Sequence, residues 1–307
     1  MSMTTELQNK FAALLPNVEL RFDEPMAAHT SFKIGGPVEI MAFPKSAEEL
    51  SKILKVSKLL DCKTAILGAG TNVLAPDQGI PGLVICLKDA LDGIRQLDDT
   101  TICVMAGVTM TRAAVFAANL GLSGLEFSHG IPGTVGGGVY MNAGAYGGQI
   151  SDVLISSEVY DTVHNRVFTL TAEEHEFAYR HSIFAEHPEY IILSSTFALR
   201  GGNADEIMQK VKEQAASRRE KQPLSYPSAG STFKRPEGYF AGKLIEDAGL
   251  KGLRVGGAVV SEKHAGFVVN DGGATAADVL ALVEQIKERV HAQFGVRLEC
   301  EFEYIEE

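Results

Sequence analysis

Three widely separated residues are of types that suit charge stabilisation and proton transfer. Arg180 lies in the segment YRHSIF, where a guanidinium is able to pair with a carboxylate or stabilise a developing enolate. Ser231 lies between prolines without a Gly-x-Ser-x-Gly elbow, so it suits a proton donor better than a nucleophile. Glu301 stands between Glu299 and Glu303, and neighbouring like charges favour acid or base work by one carboxyl group. Taken singly, each residue is more typical of a turn or a solvated surface.

Two glycine-rich segments predict where the backbone approaches a ligand. Residues 130–148, GIPGTVGGGVYMNAGAYGG, include eight glycines, and glycine lets several amides lie against a pyrophosphate or a flat ring. Apolar residues interrupt these glycines, which favours an ordered cradle over a flexible linker. Residues 68–72, GAGTN, resemble a phosphate loop, with a tight turn as the alternative. Val73 replaces the third glycine of a dinucleotide fingerprint, but the two segments together suit two ends of one dinucleotide.

Composition excludes several classes of protein. The chain has 307 residues, of which 45% are hydrophobic, so two or three packed subdomains are expected. A net charge of -11 argues against nucleic acid as the main partner. The four cysteines lack zinc-site spacing and are expected to be reduced thiols, and no signal peptide or membrane span is evident, so we expect a cytoplasmic protein. No metal site is expected, because Tyr179 replaces the second histidine of a motif that begins at His175.

Periodicity predicts a mixed α+β body over residues 30–200. A capping box of Ser46 and Glu49 opens a helix, and a second helix is expected over residues 111–120. Residues 151–170 are typical of a hairpin that turns near His164. Strands are also expected at residues 64–67, 83–87 and 190–199.

The sequence changes after Gly201-Gly202 from a mixed α+β pattern to a charged helix, and we place a domain boundary there. A charged helix follows through Arg219, and Thr275 opens a long helix with one apolar stripe up to Val290. Residues 296–304 alternate apolar and charged side chains, which predicts a strand with three carboxylates on one face.

Six segments, in order, resemble the UDP-N-acetylenolpyruvoylglucosamine reductase (MurB) family of flavoenzymes of peptidoglycan precursor synthesis. They are HTSFKIGGP at 29–37, LGAGTNVL at 67–74, the glycine-rich segment at 130–148, YRHSIF at 179–184, PSAGSTFKRP at 227–236 and LECE at 298–301. The resemblance implies an α+β fold, with an FAD-binding region of the vanillyl-alcohol-oxidase (PCMH) type in two subdomains and a C-terminal substrate-binding domain. The implied domains are 1–88, with 296–307 returning to it, then 89–201 and 202–295.

The resemblance also implies an activity. Non-covalently bound FAD, reduced by NADPH, passes a hydride from N5 to C3 of UDP-N-acetylglucosamine enolpyruvate and yields UDP-N-acetylmuramate. Arg180 and Glu301 are implied to polarise the substrate carboxylate, and Ser231 to protonate C2. The residues expected to bind FAD are Gly68, Ala69, Gly70, Thr71, Asn72, Gly130, Ile131, Pro132, Gly133, Thr134, Gly136, Gly137, Asn142 and Gly144. Those expected to contact the sugar nucleotide or to support the serine are Tyr179, Arg218, Lys221, Lys234 and Lys243.

The chain departs from the family pattern in two places. Arg235 replaces an asparagine and Glu303 replaces an arginine that many relatives have, so substrate contacts there are open. The interval between Arg180 and Ser231 is too short for an inserted tyrosine-bearing loop, which indicates the shorter, second type of the family. The alternatives are a flavin oxidase of the same fold, with His129 placed for a covalent tether, and a nucleotide-binding protein without catalytic activity.

Overall fold

The computed structural model describes residues 5–305. The helices are α1 (Glu6–Leu14), α2 (Ala47–Leu59), α3 (Met110–Asn119), α4 (Val135–Tyr140), α5 (Ala204–Lys221), α6 (Ala241–Asp247) and α7 (Ala276–Phe294). The strands are β1 (Glu19–Pro25), β2 (Pro37–Phe43), β3 (Thr64–Leu67), β4 (Val73–Leu74), β5 (Ile80–Cys86), β6 (Ile94–Gln96), β7 (Thr101–Met105), β8 (Leu122–Ser123), β9 (Gly144–Ala145), β10 (Gly148–Gln149), β11 (Leu154–Asp161), β12 (Arg166–Thr171), β13 (Tyr190–Ala198), β14 (Arg200–Gly201), β15 (Arg254–Val255), β16 (Ala258–Val260), β17 (Val268–Asn270) and β18 (Glu303–Tyr304). None of these described helices is long and apolar enough to cross a membrane.

The described residues form two compact units. Unit 1 holds residues 5–21, 41–69 and 83–218, and unit 2 holds residues 22–40, 70–82 and 219–305. Residues 1–4 of the first predicted domain and residues 306–307 of the last predicted segment lie outside the described residues.

The predicted helices of unit 1 begin at side-chain caps. Ser46 Oγ accepts a hydrogen bond from Glu49 N at the start of α2, as the sequence predicts, and Leu50 and Ile53 are buried on one face. Thr109 Oγ1 caps α3 in the same way, so this helix begins one residue earlier than predicted. Capping satisfies amides that the first helical turn leaves without partners.

An antiparallel sheet of order β12-β11-β13-β7-β6 is the largest sheet among the described residues. The predicted hairpin is confirmed as β11 and β12, and the carboxylate of Asp161 accepts hydrogen bonds from the amides of Val163 and His164 in its turn. A second sheet has the order β1-β2-β5-β3, in which β3 and β5 are parallel.

Part of the glycine-rich segment is the helix α4, a form that the expectation of an ordered cradle did not include. Glycine disfavours helices, but close packing requires it here. A Cβ on Gly138 would lie 2.6 Å from Met110 Sδ, and one on Gly136 would lie 3.0 Å from Ala106 Cβ. Tertiary packing therefore stabilises this helix although its glycine residues have low helix propensity.

Unit 2 combines N-terminal and C-terminal segments around one apolar cluster. Phe32, Ile34 and Leu74 are buried together with apolar residues of α6, β16 and α7. The carboxylate of Asp77 accepts hydrogen bonds from Ala276 N at 2.7 Å and Ala277 N at 3.0 Å, which caps α7 from the N-terminal part of the chain.

The long C-terminal strand predicted over residues 296–304 is wrong in extent. The structure has only β18, which pairs in parallel with β4, and an isolated antiparallel bridge between Phe233 and Cys300. Leu298 and Phe302 are buried, so the predicted apolar face is partly present. Alternating side chains require only an extended backbone, whereas a continuous strand also requires a continuous partner.

Candidate active site

Gly68, at the start of the shorter glycine-rich segment, lies against the longer segment in unit 1. A Cβ on Gly68 would lie 2.6 Å from Thr134 Oγ1, and this hydroxyl also accepts from Gly137 N at 3.4 Å as the N-cap of α4. Gly137 is exposed, and a Cβ there would have only Thr134 Oγ1 within 4 Å. The turn after β3 and the start of α4 thus form one surface that lacks side chains at Gly68 and Gly137.

Arg218 contacts the beginning of the longer glycine segment. Its side chain is buried and donates from Nη1 to the carbonyl oxygen of Gly130, and its guanidinium lies 5.7 Å from the ring centroid of Tyr146. The hydroxyl of Tyr146 donates to Gln214 O on the same helix, α5. Arg218, expected to contact a diphosphate, therefore has an intramolecular contact with the glycine segment, and its substrate contact stays a prediction.

Arg180 lies at the tip of a tight turn in unit 1. Its backbone φ is 55°, a left-handed value that is uncommon outside glycine. Its guanidinium lies 4.9 Å from the ring centroid of the exposed Tyr179, and Nη2 donates to Gly144 O at 3.3 Å. The structure thus brings together two predicted substrate contacts and one predicted FAD contact.

Ser231 and Glu301 belong to unit 2 and lie on neighbouring backbone segments. The amide of Glu301 donates to Thr232 O at 2.9 Å, and Lys234 N donates to Glu299 O at 2.9 Å. Ser231 is exposed, whereas Glu301 is half-buried. These backbone bonds fix the two segments side by side, although residues 231 and 301 are separated by most of the C-terminal domain in sequence.

The turn of residues 70–72 is also part of unit 2. The side-chain amide of Asn72 donates to Glu301 O at 3.0 Å, and its backbone carbonyl accepts from Glu303 N at 2.9 Å. A Cβ on Gly70 would lie 2.0 Å from His29 O, so this turn requires glycine. Asn72, expected to bind FAD, therefore also supports the backbone of the proposed catalytic glutamate.

Two of the predicted substrate contacts of unit 2 lie near a carboxylate. Lys234 Nζ lies 3.9 Å from Glu299, and Lys243 pairs with Asp247 one turn along α6. The hydrogen bond to Asp247 raises the pKa of Lys243, so its ammonium is retained at neutral pH. Lys221 is exposed at the end of α5.

His175 lies in the core of unit 1 and does not resemble a metal ligand. Its Nδ1 is 2.6 Å from Thr171 O, its Nε2 is 2.9 Å from Ser157 Oγ, and it stacks on Phe177. Burial lowers the pKa of His175, so the imidazole is neutral at pH 7. Within residues 5–305, no group of three His, Cys, Asp or Glu side chains is arranged to hold a metal ion.

Family models match both halves of the chain. Residues 38–169 match an FAD binding domain, and residues 222–305 match the C-terminal domain of UDP-N-acetylenolpyruvoylglucosamine reductase. All residues expected to bind FAD lie in the first range, whereas Ser231 and Glu301 lie in the second.

Curated relatives match the chain over nearly its whole length. A protein of Agathobacter rectalis named UDP-N-acetylenolpyruvoylglucosamine reductase is 50% identical over 304 residues, which cover 95% of this chain and 96% of the relative. A protein of the same name from Caldanaerobacter subterraneus subsp. tengcongensis is 46% identical and covers 99% of this chain and 100% of the relative. The chain belongs to the UDP-N-acetylenolpyruvoylglucosamine reductase family.

A solved structure of this family supports the fold. The MurB crystal structure from Thermus caldophilus aligns with a TM-score of 0.78 and 34% identity, covering 94% of this chain and 99% of that protein. The predicted α+β fold with an FAD-binding region is therefore confirmed. The predicted FAD cofactor is confirmed by the FAD binding domain model, and membership of the reductase family does not favour the flavin oxidase alternative.

The geometry of unit 1 fits an FAD-binding role. The bare backbone at Gly68 and Gly137 lets a pyrophosphate or a ring approach amides without meeting a side chain. Sequence reasoning missed three supporting side chains, His175, Ser182 and Tyr146. Their signal is weak because each makes a hydrogen bond to a residue distant in sequence, 18 positions away for His175, 42 for Ser182 and 68 for Tyr146.

Proposed function

We propose that this protein reduces UDP-N-acetylglucosamine enolpyruvate to UDP-N-acetylmuramate with NADPH as the reductant, in the cytoplasmic synthesis of peptidoglycan precursors. The observation that carries the proposal is the family relationship, which extends over 95% or more of the chain in two reductases. The proposed partner is therefore the sugar nucleotide. We keep the domain division of residues 1–88 with 296–307, 89–201 and 202–295 as part of the proposal.

The individual residues that contact FAD are assigned as a proposal. The backbone of residues 68–72 and 130–137 would hold the dinucleotide, with Asn142 and Gly144 beyond it. FAD held there would supply hydride-transfer chemistry, with NADPH as the source of the hydride and C3 of the enolpyruvyl group as its acceptor. The chain's own contribution is to hold the substrate and to manage charge and the proton.

Arg180 is proposed to pair with the substrate carboxylate. When C3 gains a hydride, electron density accumulates at C2 and on this carboxylate, and a guanidinium stabilises that charge through paired hydrogen bonds. Glu301 is proposed to act on the same group, where a carboxyl group helps only if it holds or shares a proton, because an ionised carboxylate would repel the developing charge.

Ser231 is proposed to deliver the proton to C2. A hydroxyl is a weak acid in water, but its proton is transferable to a carbanion-like centre. Lys243 is proposed to stabilise the serine oxygen, and Tyr179, Arg218, Lys221 and Lys234 to contact the sugar nucleotide.

Product analysis tests the proposed reaction. Purified holoenzyme is incubated with NADPH and UDP-N-acetylglucosamine enolpyruvate, and the product is analysed by mass spectrometry. The expected product carries two hydrogen atoms more than the substrate, with one NADPH consumed for each. Consumption of NADPH without this product would rule the reaction out.

Acid precipitation tests the flavin's attachment. Non-covalent FAD is expected to remain in the supernatant as free yellow cofactor. Yellow colour in the precipitated protein would instead support a tether, for which His129 is the candidate.

A further inference from the structure

A two-residue turn presents Tyr179 and Arg180 in unit 1. Ala178 N donates to His181 O at 3.2 Å, and His181 N donates to Ala178 O at 3.3 Å, so the two residues between them form the tip. Arg180 has a φ of 55°. A non-glycine residue in this region is held there at a cost of about 1 kcal/mol or more, so its surroundings must fix it.

Asn142 binds one side of this turn. Its side chain is 2% exposed; Nδ2 donates to Ala178 O at 3.0 Å, and Oδ1 accepts from Ser151 N at 3.0 Å. Protein groups thus occupy both ends of the amide. The side chain therefore joins the end of the glycine-rich segment to a turn 36 residues away in sequence.

Ser182 binds the other side of the turn. Its side chain is fully buried, and its hydroxyl donates to Tyr140 O at the end of α4. The guanidinium of Arg180 itself donates to Gly144 O at 3.3 Å. Three contacts therefore tie the turn to residues 140, 142 and 144 of the glycine-rich segment.

We propose that Asn142 and Ser182 are positioning residues, which fix the guanidinium of Arg180 relative to the glycine-rich segment. The proposal rests on the proposed function, in which Arg180 pairs with the substrate carboxylate. It assigns the side-chain amide of Asn142 to orienting the arginine, so the cofactor contact proposed for this residue is one of its backbone, which Asn142→Asp retains. Misplacement of a charge-stabilising group by about 1 Å costs up to about 100-fold in rate.

Asn142→Asp is the sharpest variant. Aspartate retains the size, the acceptor for Ser151 N and the tolerance of a positive φ, but it places a carboxylate oxygen against the carbonyl of Ala178. We expect reoxidation of the reduced flavin by substrate to slow by about 10- to 100-fold. The amount of bound FAD and the rate of flavin reduction by NADPH should stay within about twofold of the wild type. Neither FAD binding nor flavin reduction uses the arginine that binds the substrate carboxylate.

Two matched controls separate positioning from general loss of stability. Asn165→Asp makes the same change at an exposed asparagine with a φ of 53° in the turn between β11 and β12. Ser57→Ala removes a buried hydroxyl that donates to Cys62 O at 2.9 Å in α2, as Ser182→Ala removes one near Arg180. Both controls should react like the wild type. Ser182→Ala tests the same claim without added charge if Asn142→Asp does not fold.

A double-mutant cycle with Arg180→Ala decides the outcome. If Asn142 acts through the arginine, Asn142→Asp should slow substrate reoxidation in the wild type but cause no further slowing in Arg180→Ala. Equal slowing in both backgrounds would overturn the positioning role, as would an unchanged rate in Asn142→Asp and Ser182→Ala. Loss of FAD with normal reoxidation after reconstitution would assign a cofactor contact instead. An Arg180→Ala enzyme that reoxidises normally would contradict the proposed role of Arg180 itself.

Discussion

Ser231 is the residue whose proposed role is simplest to isolate, because it is exposed and its neighbouring backbone is fixed beside Glu301. Ser231→Ala should leave flavin reduction by NADPH nearly unchanged, since that step needs no proton at C2. Reoxidation of the flavin by substrate should slow by about 10²- to 10⁴-fold, the usual contribution of a positioned acid. Stopped-flow absorbance of the flavin measures each step.

Ser225→Ala is the matched control for that substitution, since Ser225 is an exposed serine of the same loop. It should behave like the wild type in both half-reactions. Equal losses in the two half-reactions of Ser231→Ala would count against a proton donor and indicate a general defect.

Residue types that suit catalysis can be recognised in the sequence. The groups that hold these side chains in place cannot. Arg180 and Glu301 are recognisable because guanidinium and carboxyl groups suit charge stabilisation and because their segments resemble a family. The bond from Asn142 to Ala178 depends on a turn that only the fold brings near. The partner of Arg218, a backbone carbonyl at Gly130, has no side-chain signal at all.

The contact between Gly68 and Thr134, the N-cap of α4, is the feature of the secondary structure most directly tied to the cofactor. Gly68→Ala would place a methyl group 2.6 Å from Thr134 Oγ1, so either this hydroxyl must leave its position as the N-cap of α4 or the backbone must shift. We expect weaker FAD retention, measured as the ratio of flavin to protein after dialysis. Gly201→Ala is the control, because a Cβ at Gly201 meets nothing within 4 Å. A full flavin content in Gly68→Ala would show that the contact of Gly68 with Thr134 is not needed for FAD binding.

His175 makes a pH-dependent contribution to the stability of unit 1. Burial lowers its pKa in the folded state below the unfolded value of about 6.5. The unfolded chain therefore binds more protons than the folded protein below about pH 6.5. As the pH is lowered through this range, the free energy of unfolding should decrease by up to about 1.4 kcal/mol per pH unit. His175→Gln should flatten this dependence in urea titrations between pH 5 and 7.

His264 offers an independent comparison in unit 2, because burial also lowers its pKa. His264→Gln should also weaken the dependence of the free energy of unfolding on pH. The double variant should show the sum of the two effects. An unaltered pH slope in His175→Gln would show that this histidine does not titrate on unfolding.

Helix α4 shows why some elements cannot be predicted from local sequence. The capped helices α2 and α7 combine an N-cap residue with an apolar stripe, so both are predictable. In α4, glycine is required by the proximity of Met110 and Ala106 rather than by helix propensity. The density of glycines predicts a ligand-facing backbone but not its helical form.

At the scale of the molecule, unit 2 is assembled from segments that are distant in sequence. Phe32, Ile34 and Leu74 are each at most 3% exposed and lie in the same apolar cluster as α7. Loss of each such side chain costs about 2–5 kcal/mol, and a whole domain is stable by only about 5–15 kcal/mol. A fragment of residues 219–307 should therefore fail to unfold cooperatively, as followed by circular dichroism during heating.

The full-length chain, heated under the same conditions, is the control for that fragment. A cooperative transition of the isolated fragment would show that residues 22–40 and 70–82 are dispensable for unit 2.

The sequence predicts a boundary near Gly201-Gly202 from a change in composition, and that boundary stays a prediction. Composition carries no signal for the return of N-terminal segments to a C-terminal core, because such contacts are not local.

In the proposed reaction the enolpyruvyl sugar nucleotide accepts the electrons of the reduced flavin. The most direct measurement is an anaerobic titration in which NADPH first bleaches the flavin absorbance of the purified holoenzyme and UDP-N-acetylglucosamine enolpyruvate is then added. Full return of the yellow band is expected with one equivalent of this substrate. A flavin that stays reduced after the substrate is added, and regains its colour only when oxygen is admitted, would contradict the proposed reaction.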